Sequence, residues 1–117
     1  MIVDGNNNTV NTANGRDDVV VNGNNNVINA GGGKDTITVG GNDNVIKGGG
    51  GNDTFIVDTT ANNNVINGGT GNDEVIFTGS ASDFSITQSG NNTIVENLIS
   101  GYTTTVKSNV STISFSA

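Results

Sequence analysis

The apolar residues of this 117-residue chain are few, but they recur on a fixed beat. Written in blocks of nine from Val3, the first half reads VDGNNNTVN, TANGRDDVV, VNGNNNVIN, AGGGKDTIT, VGGNDNVIK and GGGGNDTFI. After two extra residues, Val57 and Asp58, the beat resumes as TTANNNVIN and GGTGNDEVI and ends at Ile76. Position eight of every block is apolar: Val10, Val19, Ile28, Ile37, Ile46, Phe55, Ile66 and Val75. Positions one to six are dominated by Gly, Asn and Asp, which form turns and tolerate positive φ. Positions seven to nine are rich in β-branched residues and suit a short strand. A chain that repeats turn, strand, turn, strand closes one coil every two blocks. Residues eighteen apart then stack at one strand spacing, about 4.8 Å. The pattern predicts an all-β parallel solenoid whose eighth-position side chains point inward from two facing sheets.

Stacking exposes a second regularity. Even blocks carry Gly at position four and Asp at position six: Gly15/Asp17, Gly33/Asp35, Gly51/Asp53 and Gly71/Asp73. Odd blocks carry Asn at both: Asn6/Asn8, Asn24/Asn26, Asn42/Asn44 and Asn62/Asn64. Two blocks make a coil, so every Asp of this file falls on one edge of the solenoid and every Asn pair on the other. Four carboxylates stacked about 5 Å apart repel one another by roughly 1 kcal/mol per neighbour even at water-like screening. Such a file at fixed period calls for a cation.

Composition narrows the choice of cation. Apolar residues make up 32% and aromatics 4%, a composition that on its own describes a disordered chain; the strict period argues otherwise. The net charge is −7, with Arg16, Lys34, Lys47 and Lys107 the only basic side chains, which excludes nucleic acid as a partner. Neither Cys nor His is present, so thiolate and imidazole metal sites drop out and hard oxygen ligands remain. No disulfide can form. No apolar run reaches membrane-spanning length, so membrane insertion is not expected. The N-terminus lacks the basic and apolar regions of a signal peptide. Met1 running straight into repeat sequence suggests a piece of a longer protein.

The block GGGGNDTFI (48–56) matches the nonapeptide G-G-x-G-x-D-x-U-x in full, as does GGTGNDEVI (68–76). AGGGKDTIT (30–38) misses only the first Gly, and TANGRDDVV (12–20) keeps Gly15, Asp17 and Val19. These blocks resemble the repeats-in-toxin (RTX) family. The resemblance implies a right-handed parallel β-roll of two nonapeptides per coil, with calcium between successive loops on one edge. One loop supplies carbonyls of positions two and four plus its Asp, and the next supplies carbonyls of positions one and three plus its Asp. Carried over, a first ion has Ala13, Gly15, Asp17, Ala30, Gly32 and Asp35. A second has Gly31, Gly33, Asp35, Gly48, Gly50 and Asp53, and a third has Gly49, Gly51, Asp53, Gly68, Thr70 and Asp73. Calcium accepts six to eight oxygens in flexible loops, whereas magnesium demands stricter octahedral geometry.

The division expected is a β-roll over 3–76 and a C-terminal capping β region over 77–117. The latter resembles the region that follows the repeats in many RTX proteins exported by type I secretion, through Asp83-Phe84, Ile86, Ser89-Gly90-Asn91-Asn92, Val95, Gly101 and the Val110, Ile113, Phe115 alternation. On the odd blocks, Asn at position four is expected in the left-handed region, where Asn is among the few tolerated L-residues. Asn at position six predicts a metal-free ladder of amides bonding to one another. An amide oxygen is also a lawful calcium ligand, which leaves a second reading of that edge. Arg16 and Lys34 are expected to point outward beside carboxylates, and Asp18, Asp43 and Asp58 to be surface charges. Glu74 and Glu96 have no nucleophile or base beside them in the sequence pattern, so no active site is expected.

The function these features imply is a calcium-triggered structural module rather than an enzyme. It is monomeric and covalently part of a larger extracellular protein such as a toxin, hydrolase or adhesin. Two other classes compete. Ice binding would use outward files at positions three and five of the Asp loops, but Asn14/Arg16, Gly32/Lys34, Gly50/Asn52 and Thr70/Asn72 are irregular and charged. A carbohydrate-binding auxiliary module would want exposed aromatics, in which the chain is poor.

Overall fold

Two rows of short strands, joined by loops, wind the chain into a parallel β-solenoid; the computed structural model describes residues 1–116. Ala117, the last residue of the expected cap, lies outside the described residues. The strands are β1 (Ile2–Val3), β2 (Thr9–Asn11), β3 (Asp18–Val21), β4 (Val27–Asn29), β5 (Thr36–Val39), β6 (Val45–Lys47), β7 (Thr54–Val57), β8 (Asn64–Asn67) and β9 (Glu74–Phe77), followed by β10 (Phe84–Ser89), β11 (Asn92–Asn97), β12 (Thr103–Val106) and β13 (Thr112–Phe115). One sheet is ordered β1-β3-β5-β7-β9-β13 and the other β10-β11-β12-β8-β6-β4-β2. Strands that follow Asp loops therefore share one sheet, and strands that follow Asn loops share the other.

The stacking period is the expected one. Val19 pairs with Ile37 and Ile37 with Phe55, while Val10 pairs with Ile28 and Ile28 with Ile46. These eighth-position side chains fill the interior, from Val19 through Ile28, Ile37, Ile46, Phe55 and Ile66 to Val75, all buried; Val10, at the end of its row, is half-buried. A further inward column was not anticipated. Val3, Val21, Val39, Val57 and Phe77 stack in register two residues beyond the eighth position and are also buried. Alternation along a strand explains them: each four-residue strand of this sheet shows the core two side chains, not one.

That column relocates the two extra residues. Val57 pairs with Val39 and so keeps the beat, and the register next recovers at Asn62, which bridges to Asn42. Asp58–Ala61 thus does the work that Gly40-Gly41 does one coil earlier. The turn is held by Asp58 Oδ1 accepting from Thr59 N (2.7 Å) and by Thr60 Oγ1 donating to Gly40 O (2.8 Å). The insertion lies on the Asn edge, which leaves the Asp edge undisturbed.

Beyond β9 the nonapeptide signature is gone, yet the chain completes one more coil. β12 pairs in parallel with β8, placing Val106 over Ile66, and β13 pairs in parallel with β9, placing Ile113 over Val75 and Phe115 over Phe77. Ahead of β12 in the chain, the hairpin β10–β11 extends the second sheet outward from β12 by antiparallel pairing. Phe84 covers the end of the core against Phe77 and Phe115, with ring centroids 5.5 and 5.0 Å away. Open solenoid ends expose unpaired strand edges and apolar interior; this segment pairs the edges of β8 and β9 and covers the interior, leaving β10 and β13 as the outer strands.

Candidate metal centre

The two edges are built from different backbones. On the Asp edge the loops turn through positive φ at positions two and four: Ala13 and Gly15, Gly31 and Gly33, Gly49 and Gly51, Gly69 and Gly71. On the Asn edge the positive φ falls at position five, on Asn7, Asn25, Asp43 and Asn63, each near 60°. The expectation that Asn6, Asn24, Asn42 and Asn62 take the left-handed region is therefore wrong by one residue. The reason is visible in their side chains. Asn6 Oδ1 accepts from Asn24 N (2.8 Å), Asn24 Oδ1 from Asn42 N (2.9 Å) and Asn62 Oδ1 from Thr103 N (3.0 Å), so position four forms an amide ladder except beside the inserted turn, where Asn62 N donates to Gly41 O (3.3 Å).

Glycine is required at positions two and four of the Asp loops by stacking as well as by φ. A Cβ on Gly31 would lie 1.9 Å from Ala13 O, one on Gly33 1.9 Å from Gly15 O, and one on Gly51 1.9 Å from Gly33 O. Main chains approach so closely that only hydrogen fits between them. Ala13 holds position two of the first loop at φ 70°, where a loop of the same backbone stacked beneath it would meet its methyl group in the same way.

Position six repeats one contact on both edges and then diverges. Asp35, Asp53 and Asp73 each accept, through Oδ1, from the main-chain N of the Asp one coil earlier, all at 2.9 Å. Asn26, Asn44 and Asn64 do the same at 2.8 Å. The second side-chain atom separates the edges. Asn Nδ2 donates to a position-three carbonyl of the coil before: Asn26 to Gly5 O, Asn44 to Gly23 O and Asn64 to Gly41 O, at 2.8–3.0 Å. The ladder expected between amide side chains thus runs instead from each amide to main chain, and it satisfies both amide atoms. On the Asp edge the second atom is an oxygen with nothing to accept. Among the described residues the buried side-chain polar atoms without a hydrogen bond are Oδ2 of Asp17, Asp35, Asp53 and Asp73.

Asp35, Asp53 and Asp73 are at most 1% exposed. Burial, the largest cause, lifts all three carboxyls above the usual range, and for Asp53 to about 6; the charges of Asp35 and Asp73 push Asp53 the same way. A buried carboxylate whose oxygen lacks a partner is costly unless a cation joins it. The surroundings fit a cation. A Cβ on Gly48 would fall 2.4 Å from Asp53 Oδ2 and 2.8 Å from Gly68 O, so a carboxylate oxygen and a carbonyl oxygen face one small space. No group of three acidic side chains gathers among the described residues, so a cation held here would draw on main-chain oxygens beside the carboxylates.

The structure brings the expected ligand residues together. Ala13, Gly15, Asp17, Ala30, Gly31, Gly32, Gly33, Asp35, Gly48, Gly49, Gly50, Gly51, Asp53, Gly68, Thr70 and Asp73 all lie in loops leading into β3, β5, β7 or β9. Above Asp73 the stack changes: Ser111 occupies the matching place, its N donating to Asp73 O at 3.0 Å. Arg16, Lys34, Asp18, Asp43 and Asp58 are exposed, and Glu74 and Glu96 belong to different sheets.

A family model of the RTX calcium-binding nonapeptide repeat matches in four copies, over residues 20–55 and 58–94, more than half of the chain. The matched spans omit the loop of Asp17 and part beside the inserted turn. Comparison with curated proteins and with solved structures finds no match.

Proposed function

We propose, from the premise that the chain belongs to the family of RTX calcium-binding nonapeptide repeats, that three calcium ions sit in a row between its four Asp loops and complete its fold. The observation that carries the reading is the file of four buried Oδ2 atoms without a partner. The first ion takes oxygens from Ala13, Gly15, Asp17, Ala30, Gly32 and Asp35. The second takes them from Gly31, Gly33, Asp35, Gly48, Gly50 and Asp53. The third takes them from Gly49, Gly51, Asp53, Gly68, Thr70 and Asp73. The count of three is supported at both ends of the row, by Ala13 on one side and by Ser111, which brings no carboxylate, on the other. Three ions bring the formal charge from −7 to about −1 and relieve the self-repulsion of the acidic chain.

The role is structural: the nonapeptide blocks of the expected roll (3–76) hold the ions, and the expected capping region (77–117) adds one more coil through β12 and β13 and closes that end. Proteins with such repeats are typically secreted, which supports a module of a larger extracellular protein. It stays unfolded where calcium is scarce and folds where calcium is abundant. Adding millimolar calcium to chelated protein is expected to convert coil to β in far-UV circular dichroism, with calorimetry giving a stoichiometry of three. Magnesium at the same concentration is expected to do far less. A β-rich apo form unchanged by calcium would overturn the proposal.

A further inference from the structure

Asn-Gly pairs occur at Asn14-Gly15, Asn22-Gly23 and Asn67-Gly68. Such pairs are chemically labile, because a glycine without Cβ lets its own nitrogen approach the Asn side chain. The Gly nitrogen bonds to Asn Cγ, the Cγ–Nδ2 bond breaks, and the side-chain nitrogen leaves as ammonia with the proton from the Gly nitrogen. Water then opens the resulting five-membered imide to Asp or to iso-Asp; nothing is oxidised or reduced. The reaction needs a free Gly N–H and a backbone loose enough to close the ring.

The folded roll denies the first requirement at all three pairs. Gly15 N donates to Gly32 O (2.8 Å), Gly23 N to Val3 O (3.1 Å) and Gly68 N to Asn109 Oδ1 (3.1 Å). The third pair is held differently from the others. Its nucleophile is engaged by a side chain from the capping segment, and the other end of the same amide, Asn109 Nδ2, donates to Asn67 Oδ1. One amide therefore grips both the atom that would attack and the group that would be attacked. Asn67 Oδ1 accepts from Gly69 N as well (3.1 Å), which fixes the carbonyl end further.

We propose that Asn67-Gly68 is a latent deamidation site and that Asn109 is the positioning residue that keeps it intact in the folded roll. The consequence for the metal row rests on the calcium reading above: iso-Asp at 67 would insert a methylene group into the main chain just before Gly68, a ligand of the third ion. The chemistry itself does not depend on that reading, because it is followed at the peptide bond rather than by ion binding.

The test incubates the protein at mildly alkaline pH, in chelator and in calcium, and follows deamidation of each pair by peptide mass mapping and iso-Asp assay. In calcium all three pairs of the unsubstituted protein are expected to be slow. Asn109→Ala, folded in calcium as judged by circular dichroism, is expected to raise the rate at Asn67 alone. Loss of the hydrogen bond that holds Gly68 N corresponds to roughly a twofold to tenfold increase. Asn109→Leu, which removes both ends of the amide at similar volume, should rise as the Ala variant does, and it serves if that variant does not fold. An unchanged rate at Asn67 in the folded variants overturns the proposal. So does an equal rise at Asn14, Asn22 and Asn67, which would mean general loosening rather than a clamp.

Discussion

Asp53→Asn should change sign with calcium. Asp53 lies between two proposed ions and between two acidic neighbours, and it is 1% exposed with its carboxyl raised to about 6 by burial first and by Asp35 and Asp73 after it. Against an ordinary value near 3.8, that rise means that holding the charge at neutral pH costs the calcium-free roll about 3 kcal/mol. An amide is uncharged and keeps an oxygen for Asp35 N, so in chelator the substitution should stabilise the roll by about that amount. In calcium it removes a carboxylate shared by two sites. An ion that binds only the folded form adds about 2.7 kcal/mol at a hundredfold excess over its dissociation constant, so weakening two sites should cost up to about 5 kcal/mol. Asp17→Asn touches one site and should cost about half as much. The assay is urea unfolding followed by circular dichroism, with fluorescence of Tyr102, the only Tyr in a chain without Trp, as a second probe. Destabilisation of equal size in chelator and in calcium would refute the reasoning, as would equal losses for Asp53→Asn and Asp17→Asn in calcium.

The same burial sets the pH dependence. Folded-state carboxyls raised above their unfolded values stabilise most below the unfolded value and lose that stability as pH rises through the folded one. The calcium-free roll should therefore be most stable below about pH 4 and weaken through about pH 6, while calcium affinity rises over that window as protons leave; an acid titration of ellipticity in chelator checks it. Asn44→Asp should destabilise by about 3 kcal/mol with or without calcium, because an oxygen would replace the Nδ2 donor facing Gly23 O. Calcium restoring that variant with an additional bound ion, seen by calorimetry, would contradict it.

How far the residues alone reach depends on whether period or conformation carries the information. The eighth-position column was readable because it repeats without exception from Val10 to Val75, and the separation of Asp from Asn edges followed from counting two blocks per coil. The second core column escaped because its members, Val3, Val21, Val39 and Val57, repeat every coil rather than every block; a search at eighteen residues would have found them. The final coil was hidden for a different reason. Val106 and Ile113 stack on Ile66 and Val75, but no Gly or Asp accompanies them, and the loop between them is held by Asn109 and Ser111 instead.

The Asn edge shows the limit most clearly. Reading Asn as a substitute for Gly at position four was sound propensity, yet the positive φ sits at position five, because the position-four amide is engaged along the stack. That shift of one residue decides the chemistry of the edge. With the turn at position five, the carbonyl of position three meets the Nδ2 of the next coil, and that hydrogen bond bridges the coils where the Asp edge has an unpartnered Oδ2. Two kinds of loop, stacked at the same strand spacing, thus differ in whether the second atom at position six is a donor or an orphaned acceptor. On the calcium reading proposed above, metal dependence follows that difference in backbone as much as the carboxylate itself.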